Sequence, residues 1–230
     1  MRRKEVLLQL MEEYGGSFSS KLGIDLESDK SNELFKWFLA SVLFGMRIRQ
    51  KAAIQTYLEF DKRGVVTPDT ILKTGWHGLV EILDAGGYVR YDFKTATKLL
   101  EMAEMLNKKY GGDLNHLHEN ALDSHDLESK LMEFKGIGKV TANIFLRELK
   151  GIWQKADPLP ADHVIIAARN LGFTTLRGRS EKEKRKILFE LEKLWESEAL
   201  PYRFNDFEAA LVRYGIELRH KKIKSVKTDT

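Results

Sequence analysis

The sequence predicts an all-α protein, and three observations carry that prediction. Apolar residues recur at helical spacing along most of the chain, whereas strand-like alternation is weak. Helix start and stop signals punctuate the pattern, such as Thr67 followed by Pro68, and Gly111 after a long periodic segment. The chain has 230 residues, enough for one large domain or two small ones.

Each predicted helix follows from its faces and its ends. Residues 3–14 form the first, which Gly15 and Gly16 stop. The second, 31–45, has Ser31 as its cap and an apolar surface nearly all round, which predicts a place in the middle of a core. A break near Gly45 precedes the others. The third predicted helix is 48–60. Thr67 and Pro68 open the next one, and another ends on Gly86 and Gly87. Further helices are predicted at 92–110, 126–134, 139–149, 162–171, 183–197 and 204–218.

Composition narrows the possible functions. There is no cysteine, which excludes disulfides, thiolate zinc sites and cysteine-ligated iron–sulfur clusters. The net charge of +4, from 38 basic and 34 acidic residues, permits an anionic partner without requiring one. The N-terminus does not resemble a secretory signal, and the longest apolar stretch contains Lys36 and falls short of the roughly 20 residues that span a bilayer. We therefore expect a soluble protein without membrane contact.

The stretch FKGIGKVTAN, residues 134–143, predicts a tight hairpin between two helices. Glycine reaches the backbone angles of so short a reversal without steric cost. Gly136 and Gly138 also leave amide groups uncovered at the start of the second helix, where peptide dipoles favour an anion, and Lys135 and Lys139 add positive charge. A nucleic-acid phosphate fits such a site. The alternative is a turn that only joins two helices.

A second stretch, ADPLPADHVIIAARNLGF, places Asp162 directly before an apolar helix and about twenty residues after the hairpin. The aspartate has two interpretations. It is either an N-cap that accepts amide hydrogen bonds, or a fixed anion that stabilises positive charge on a sugar. The two are compatible, since capping would hold the carboxylate ionised. Asp157 is a rival acid, but its place before Pro158 favours a turn.

With these segments the chain resembles the helix–hairpin–helix glycine/proline/aspartate superfamily of DNA glycosylases, which includes endonuclease III and AlkA-type enzymes. The resemblance lies in LMEFKGIGKVTANIFLREL at 131–149 and PLPADHVIIAARNLG at 158–172, with Asp162 at the position of the catalytic aspartate. SVLFGMRIRQKAAIQTYLEF at 41–60 is similar to the helix–loop–helix that fills the gap left by an extruded nucleotide. The similarity covers most of residues 31–220.

The resemblance implies two helical lobes with a DNA-binding cleft between them. Residues 31–150 would form the central lobe that ends in the hairpin, and 1–30 with 151–230 the lobe that carries Asp162. The partner would be double-stranded DNA with a damaged base, bound by a monomer and flipped out toward Asp162. The hairpin residues expected at the phosphates are Lys135, Gly136, Ile137, Gly138, Lys139 and Thr141. Such an enzyme works in the cytoplasm, at the nucleoid, or in the nucleus.

Departures from the family pattern refine the expected activity. Members with lyase activity carry a lysine at the position of Val140, and an aliphatic side chain cannot form a Schiff base. We therefore expect a monofunctional DNA N-glycosylase of base excision repair without cofactor, with an alkylated purine such as 3-methyladenine as the leading substrate. A bifunctional glycosylase/lyase with a relocated lysine and a damage-binding protein without chemistry are the alternatives. Met46 and Arg47 are the gap-filling candidates, although Arg47 is equally interpretable as a surface charge.

The remaining candidates are aromatic residues and histidines. Trp37, Phe44, Tyr88 and Tyr91 belong to the lobe in which relatives build the base pocket, and most of them are expected in the core. His163 stands beside Asp162 and is interpreted mainly as a surface residue at a helix end. The segment HLHENALDSHD, with three histidines at irregular spacing, is interpreted as an exposed connection, and no metal site is expected.

Overall fold

The computed structural model describes residues 3–46 and 48–228, with side chains up to residue 221. Among the described residues there are helices and no strand. The α-helices, in chain order, are α1 Arg3–Tyr14, α2 Phe18–Lys21, α3 Ser31–Phe44, α4 Gln50–Lys62, α5 Pro68–Ala85, α6 Asp92–Tyr110, α7 Leu114–Glu119, α8 Ser124–Met132, α9 Lys139–Glu148, α10 Asp162–Asn170, α11 Glu181–Glu198 and α12 Phe204–Thr228. A 3-10 turn, Leu26–Ser28, precedes α3. The predicted all-α class is confirmed.

The described residues fall into two compact units. The first combines the chain up to Phe18 with the chain from Leu159 onward. The second is continuous, Ser19–Pro158. The hairpin therefore belongs to the second unit and Asp162 to the first.

Helix α3 lies at the centre of the second unit. Its run from Leu34 to Leu43 is buried almost without interruption, as the all-round apolar pattern predicted. Phe38 makes edge contacts with Phe134 before the hairpin and Phe145 after it, at 5.5 and 5.1 Å between ring centroids. The core of this unit thus holds both arms of the hairpin in place.

In the first unit, the long helix α12 packs against α10 and α1. Arg213 of α12 donates to the carbonyl oxygen of Tyr14 at 2.7 Å and lies over the ring of Phe18, with its guanidinium carbon 4.1 Å from the ring centre. Arg213 thus joins the last helix of the chain to the segment that contains the first helix. None of the helices in the described part of the chain has the length and apolar character that a membrane crossing requires.

Several helix boundaries correct the predictions. Thr67 caps α5 through a reciprocal bond with Thr70, and Gly111 ends α6 in the left-handed region, both as predicted. Ser31, by contrast, is the first residue of α3 and not its cap. Helix α12 also continues far beyond the predicted end at residue 218.

The histidine-rich segment is a second correction, because part of it is helix α7 and not an exposed connection. His118 stacks on Trp153 with parallel rings 4.8 Å apart. Burial of the ring, with the nearby Lys155 ammonium, lowers the pKa of His118 below its ordinary value. Packing occupies this histidine, and among the described residues no cluster of three or more acidic or histidine side chains is grouped around a space for a metal ion.

Candidate nucleic-acid interface and catalytic acid

The hairpin between α8 and α9 is built on two glycines, Gly136 and Gly138. Gly136 has φ of +90°, a left-handed conformation that an L side chain rarely adopts. Gly138 is the N-cap of α9, and a glycine brings no side chain that could cap the helix. The amides of its first turn are therefore available to an outside acceptor, at the positive end of the helix dipole.

The side chains of the turn divide into an anchor and a charged rim. Ile137 is buried to 6% exposure, and its amide donates to the carbonyl oxygen of Phe134 at 2.9 Å. Lys135 and Lys139 are exposed. Lys135 forms an ion pair with Glu101 of α6 at 2.6 Å, a surface pair that is weak enough to be exchanged for a phosphate.

A third lysine, Lys98 of α6, joins this rim, and sequence reasoning missed it. A Cβ atom added to Gly136 would lie 2.6 Å from Cδ of Lys98, so the aliphatic part of this side chain covers the glycine closely. The two residues are 38 positions apart, and no local pattern announces the contact. Helical spacing does place Lys94, Lys98 and Glu101 on one face of α6, but only the fold brings that face to the hairpin.

The loop after α3 packs directly on the hairpin helix. Gly45 lies so close to Thr141 that a Cβ atom at Gly45 would collide with the threonine hydroxyl. Thr141, which was predicted to contact a phosphate, is buried. Nearby, the indole nitrogen of Trp37 donates to the carbonyl oxygen of Phe145 at 3.1 Å. The fold thus joins the predicted gap-filling loop to the predicted phosphate site. Met46 is half-buried there, and Arg47 lies outside the described residues.

Asp162, in the first unit, is the first residue of α10, and Ala161 takes the N-cap position without a side-chain bond. The N-cap interpretation of Asp162 is therefore wrong. The side chain of Asp162 is instead 78% exposed and forms an ion pair with Lys184 of α11. Nζ of Lys184 donates a hydrogen bond to Oδ1 of Asp162 at 3.0 Å. Sequence reasoning missed this partner because it lies 22 residues away on another helix.

A glycine fixes the start of α10. Gly215 of α12 lies against the backbone of His163, so closely that any side chain at 215 would collide with the His163 carbonyl oxygen. A glycine inside a helix lowers the stability of the helix by about 1 kcal/mol relative to alanine. Its presence there therefore indicates a position where close packing leaves no room for a side chain. Here the close approach of α12 holds the residue that follows Asp162.

Neither a scan of protein-family models nor a search of curated proteins finds a match to this chain. Among solved structures, the chain is similar to H. pylori 3-methyladenine DNA glycosylase (MagIII), which was solved bound to 1,N6-ethenoadenine. The TM-score is 0.59 at 14% sequence identity, and the match covers 96% of this chain and 99% of that one. The chain has the fold of this glycosylase. The resemblance seen in the sequence is confirmed at the level of the fold.

Residue 140, where the sequence resemblance places the lyase lysine of other members, lies at the surface. Val140, in the first turn of α9, is 65% exposed. Val140 is not part of the apolar face of α9, which is built from Ala142, Phe145 and Leu146. An aliphatic side chain therefore lies in the solvent beside the hairpin amides.

The predicted aromatic candidates of the glycosylase fold differ in burial. Trp37 and Tyr88 are fully buried, and the Tyr88 hydroxyl donates to the carbonyl oxygen of Leu43 at 3.3 Å. No ring face of these two is open to a base. Phe44 and Tyr91 are half-buried and keep exposed surface.

Proposed function

We propose that this protein is a monofunctional DNA N-glycosylase of base excision repair. It binds double-stranded DNA as a monomer, extrudes a damaged nucleotide and hydrolyses the bond between base and sugar. The observation that carries the proposal is Asp162, an exposed carboxylate at a helix start, in a chain with the fold of a DNA glycosylase. Its place of work is the compartment that holds the genome, the cytoplasm with its nucleoid or the nucleus.

The hairpin supplies the first step, which is binding. Uncapped amides at the start of α9, with Lys135, Lys139 and Lys98 around them, suit a phosphate and do not read base sequence. An enzyme that searches for damage needs contacts of this kind, because the lesion occurs in any sequence. The joint use of the hairpin and Asp162 on one duplex is part of the proposal.

The carboxylate supplies the chemistry. As the bond from C1′ to the base nitrogen breaks, the base departs with the electron pair and positive charge develops on the sugar ring. A fixed negative charge stabilises this oxocarbenium-like state more than the ground state, which is what accelerates the step. Water then adds to C1′, and Asp162 orients it or accepts its proton.

An alkylated purine such as 3-methyladenine suits this site best. Alkylation on a ring nitrogen makes the base cationic, so it leaves as a neutral molecule and needs little acid assistance. An electron-poor ring also stacks well on aromatic faces. Phe44 and Tyr91, which keep exposed surface, are our candidates for that stacking.

A panel of lesion duplexes tests the proposed function. Purified protein is incubated with duplexes that contain alkylated, oxidised or deaminated bases, and products are analysed with and without alkali. We expect free base from an alkylated purine and strand breaks only after alkali treatment. Breaks without alkali would indicate the bifunctional alternative. Binding to damaged DNA without any base release would indicate a damage sensor.

A further inference from the structure

The ion pair between Lys184 and Asp162 raises a question that the proposed chemistry leaves open. The ammonium of Lys184 lies 3.0 Å from Oδ1 of Asp162, and the lysine side chain is only 28% exposed whereas the aspartate is 78% exposed. A cation at this distance offsets the negative charge that an oxocarbenium-like sugar would require. Lys184 therefore has to lose its hold on Asp162 before the carboxylate can act.

The energetics allow such a release. Exposed ion pairs contribute little net stability, because water and side-chain entropy offset most of the attraction. A DNA phosphate also presents several acceptor oxygens to an ammonium group. The nearest phosphates to a nucleotide whose C1′ faces Asp162 are the two that flank this same nucleotide. Lys184 is already beside the carboxylate and therefore beside them.

The surroundings of Lys184 on α11 favour an anionic partner. The segment 177–186, RGRSEKEKRK, contains six basic residues and two acidic ones. One of the two acids, Glu183, accepts the backbone amide of Arg179 at 2.8 Å and so helps to hold the loop. Arg177, Arg179, Lys182 and Lys186 are exposed. This basic segment lies in the same unit as Asp162.

We propose that Lys184 is a positioning residue that exchanges partners when DNA binds. In the free protein its ammonium holds the Asp162 carboxylate. In the complex it moves to a phosphate beside the extruded nucleotide, which leaves Asp162 to face C1′. This inference rests on the proposed function, and it adds a second phosphate contact beside the catalytic acid.

A double-mutant cycle in DNA affinity tests the exchange. The probe is a duplex with a tetrahydrofuran abasic-site analogue, which has no base to release, and the variants are Asp162→Asn, Lys184→Met and the double variant. Asp162→Asn removes the competitor for Lys184, so we expect affinity to rise roughly two- to fivefold, the range of an exposed ion pair. In the Lys184→Met background the same change should give a clearly smaller gain, because only the repulsion between the carboxylate and the flanking phosphates is then removed. Lys184→Met alone should reduce the slope of log K against log salt by about 0.9, the value for one phosphate contact.

Two further variants separate the exchange from a structural role. Lys184→Arg keeps the charge and should retain both the salt slope and the gain from Asp162→Asn. Lys182→Met removes an exposed lysine of the same segment, and the gain from Asp162→Asn should persist in its background. An equal gain in the wild-type and Lys184→Met backgrounds would overturn the exchange, even if base release is normal. Failure of the wild-type protein to bind any duplex would overturn the proposed function and, with it, this inference.

Discussion

At the scale of single residues, the neighbouring carboxyl groups of Asp84 and Asp92 make the stability of the protein depend on pH. The Asp92 side chain is buried, and desolvation together with a hydrogen bond to Asp92 raises the pKa of Asp84. The native state therefore takes up a proton more readily than the unfolded chain. Stability that depends on this proton is present at low pH and is lost as the pH rises through the raised pKa.

Replacement of Asp84 by asparagine should consequently stabilise the protein at neutral pH. The amide keeps a hydrogen bond to Asp92 and removes the repulsion between two carboxylates. Thermal unfolding measured at pH 7 should show a higher midpoint for Asp84→Asn than for the wild type. The difference should shrink toward about pH 4, near the ordinary pKa of aspartate. A constant difference at both values would show that the two carboxylates do not interact.

Val140 allows the proposed monofunctional activity to be tested at the level of one residue. Val140→Lys puts an amine at the exposed position where lyase members of the resembled family carry theirs, and its exposure makes the change tolerable for the fold. We expect borohydride to trap Val140→Lys on DNA that contains an abasic site, through the imine of the new amine with C1′. The wild-type protein should not be trapped. Efficient trapping of the wild type would show that another lysine serves as the nucleophile.

At the scale of elements, the phosphate contact that we propose depends on the conformation of the hairpin backbone. Gly136→Ala forces a side chain into the left-handed region and against Lys98. Gly64→Ala is the matched control, because Gly64 follows α4, has φ of +68° and would have no atom within 4 Å of an added Cβ, those of the hairpin included. Both should lose about 1–2 kcal/mol of stability.

Only Gly136→Ala should also lose affinity for DNA. Loss of one hydrogen bond between an amide and a charged phosphate corresponds to about tenfold in Kd. Fluorescence anisotropy with a labelled lesion duplex measures this for both variants. Equal binding of Gly136→Ala and Gly64→Ala would remove the hairpin from the interface.

The elements also show what sequence can and cannot predict here. Capping residues act locally. Thr67 and Pro68 therefore predicted the start of α5 correctly, and Gly111 predicted the end of α6. Helix α7 is only six residues long and rich in polar side chains, too short for a periodic pattern. The partner of Asp162 was missed for a related reason. The carboxylate turns to Lys184 on another helix, and no local rule reports that contact.

At the scale of the whole molecule, the unit that carries Asp162 is built from both terminal segments of the chain. Helix α1 belongs with α10 and α12, and Arg213 joins the first helix to the last through the carbonyl oxygens of Tyr14 and Gly16, the latter at 2.5 Å. The hairpin is built by the middle of the chain, around α3. Composition and periodicity predict helices for both units but do not indicate which helices share a core. That assignment depends on contacts between distant residues, such as Gly45 with Thr141 and Gly215 with His163.

The most direct test of the account is base release by Asp162→Asn. The variant replaces the charge and keeps the shape, so it should bind the lesion duplex at least as well as the wild type. Single-turnover release of the damaged base should fall at least about 100-fold, the usual cost of removing one group that stabilises charge in the transition state. Release at the wild-type rate by a folded Asp162→Asn protein would contradict the account.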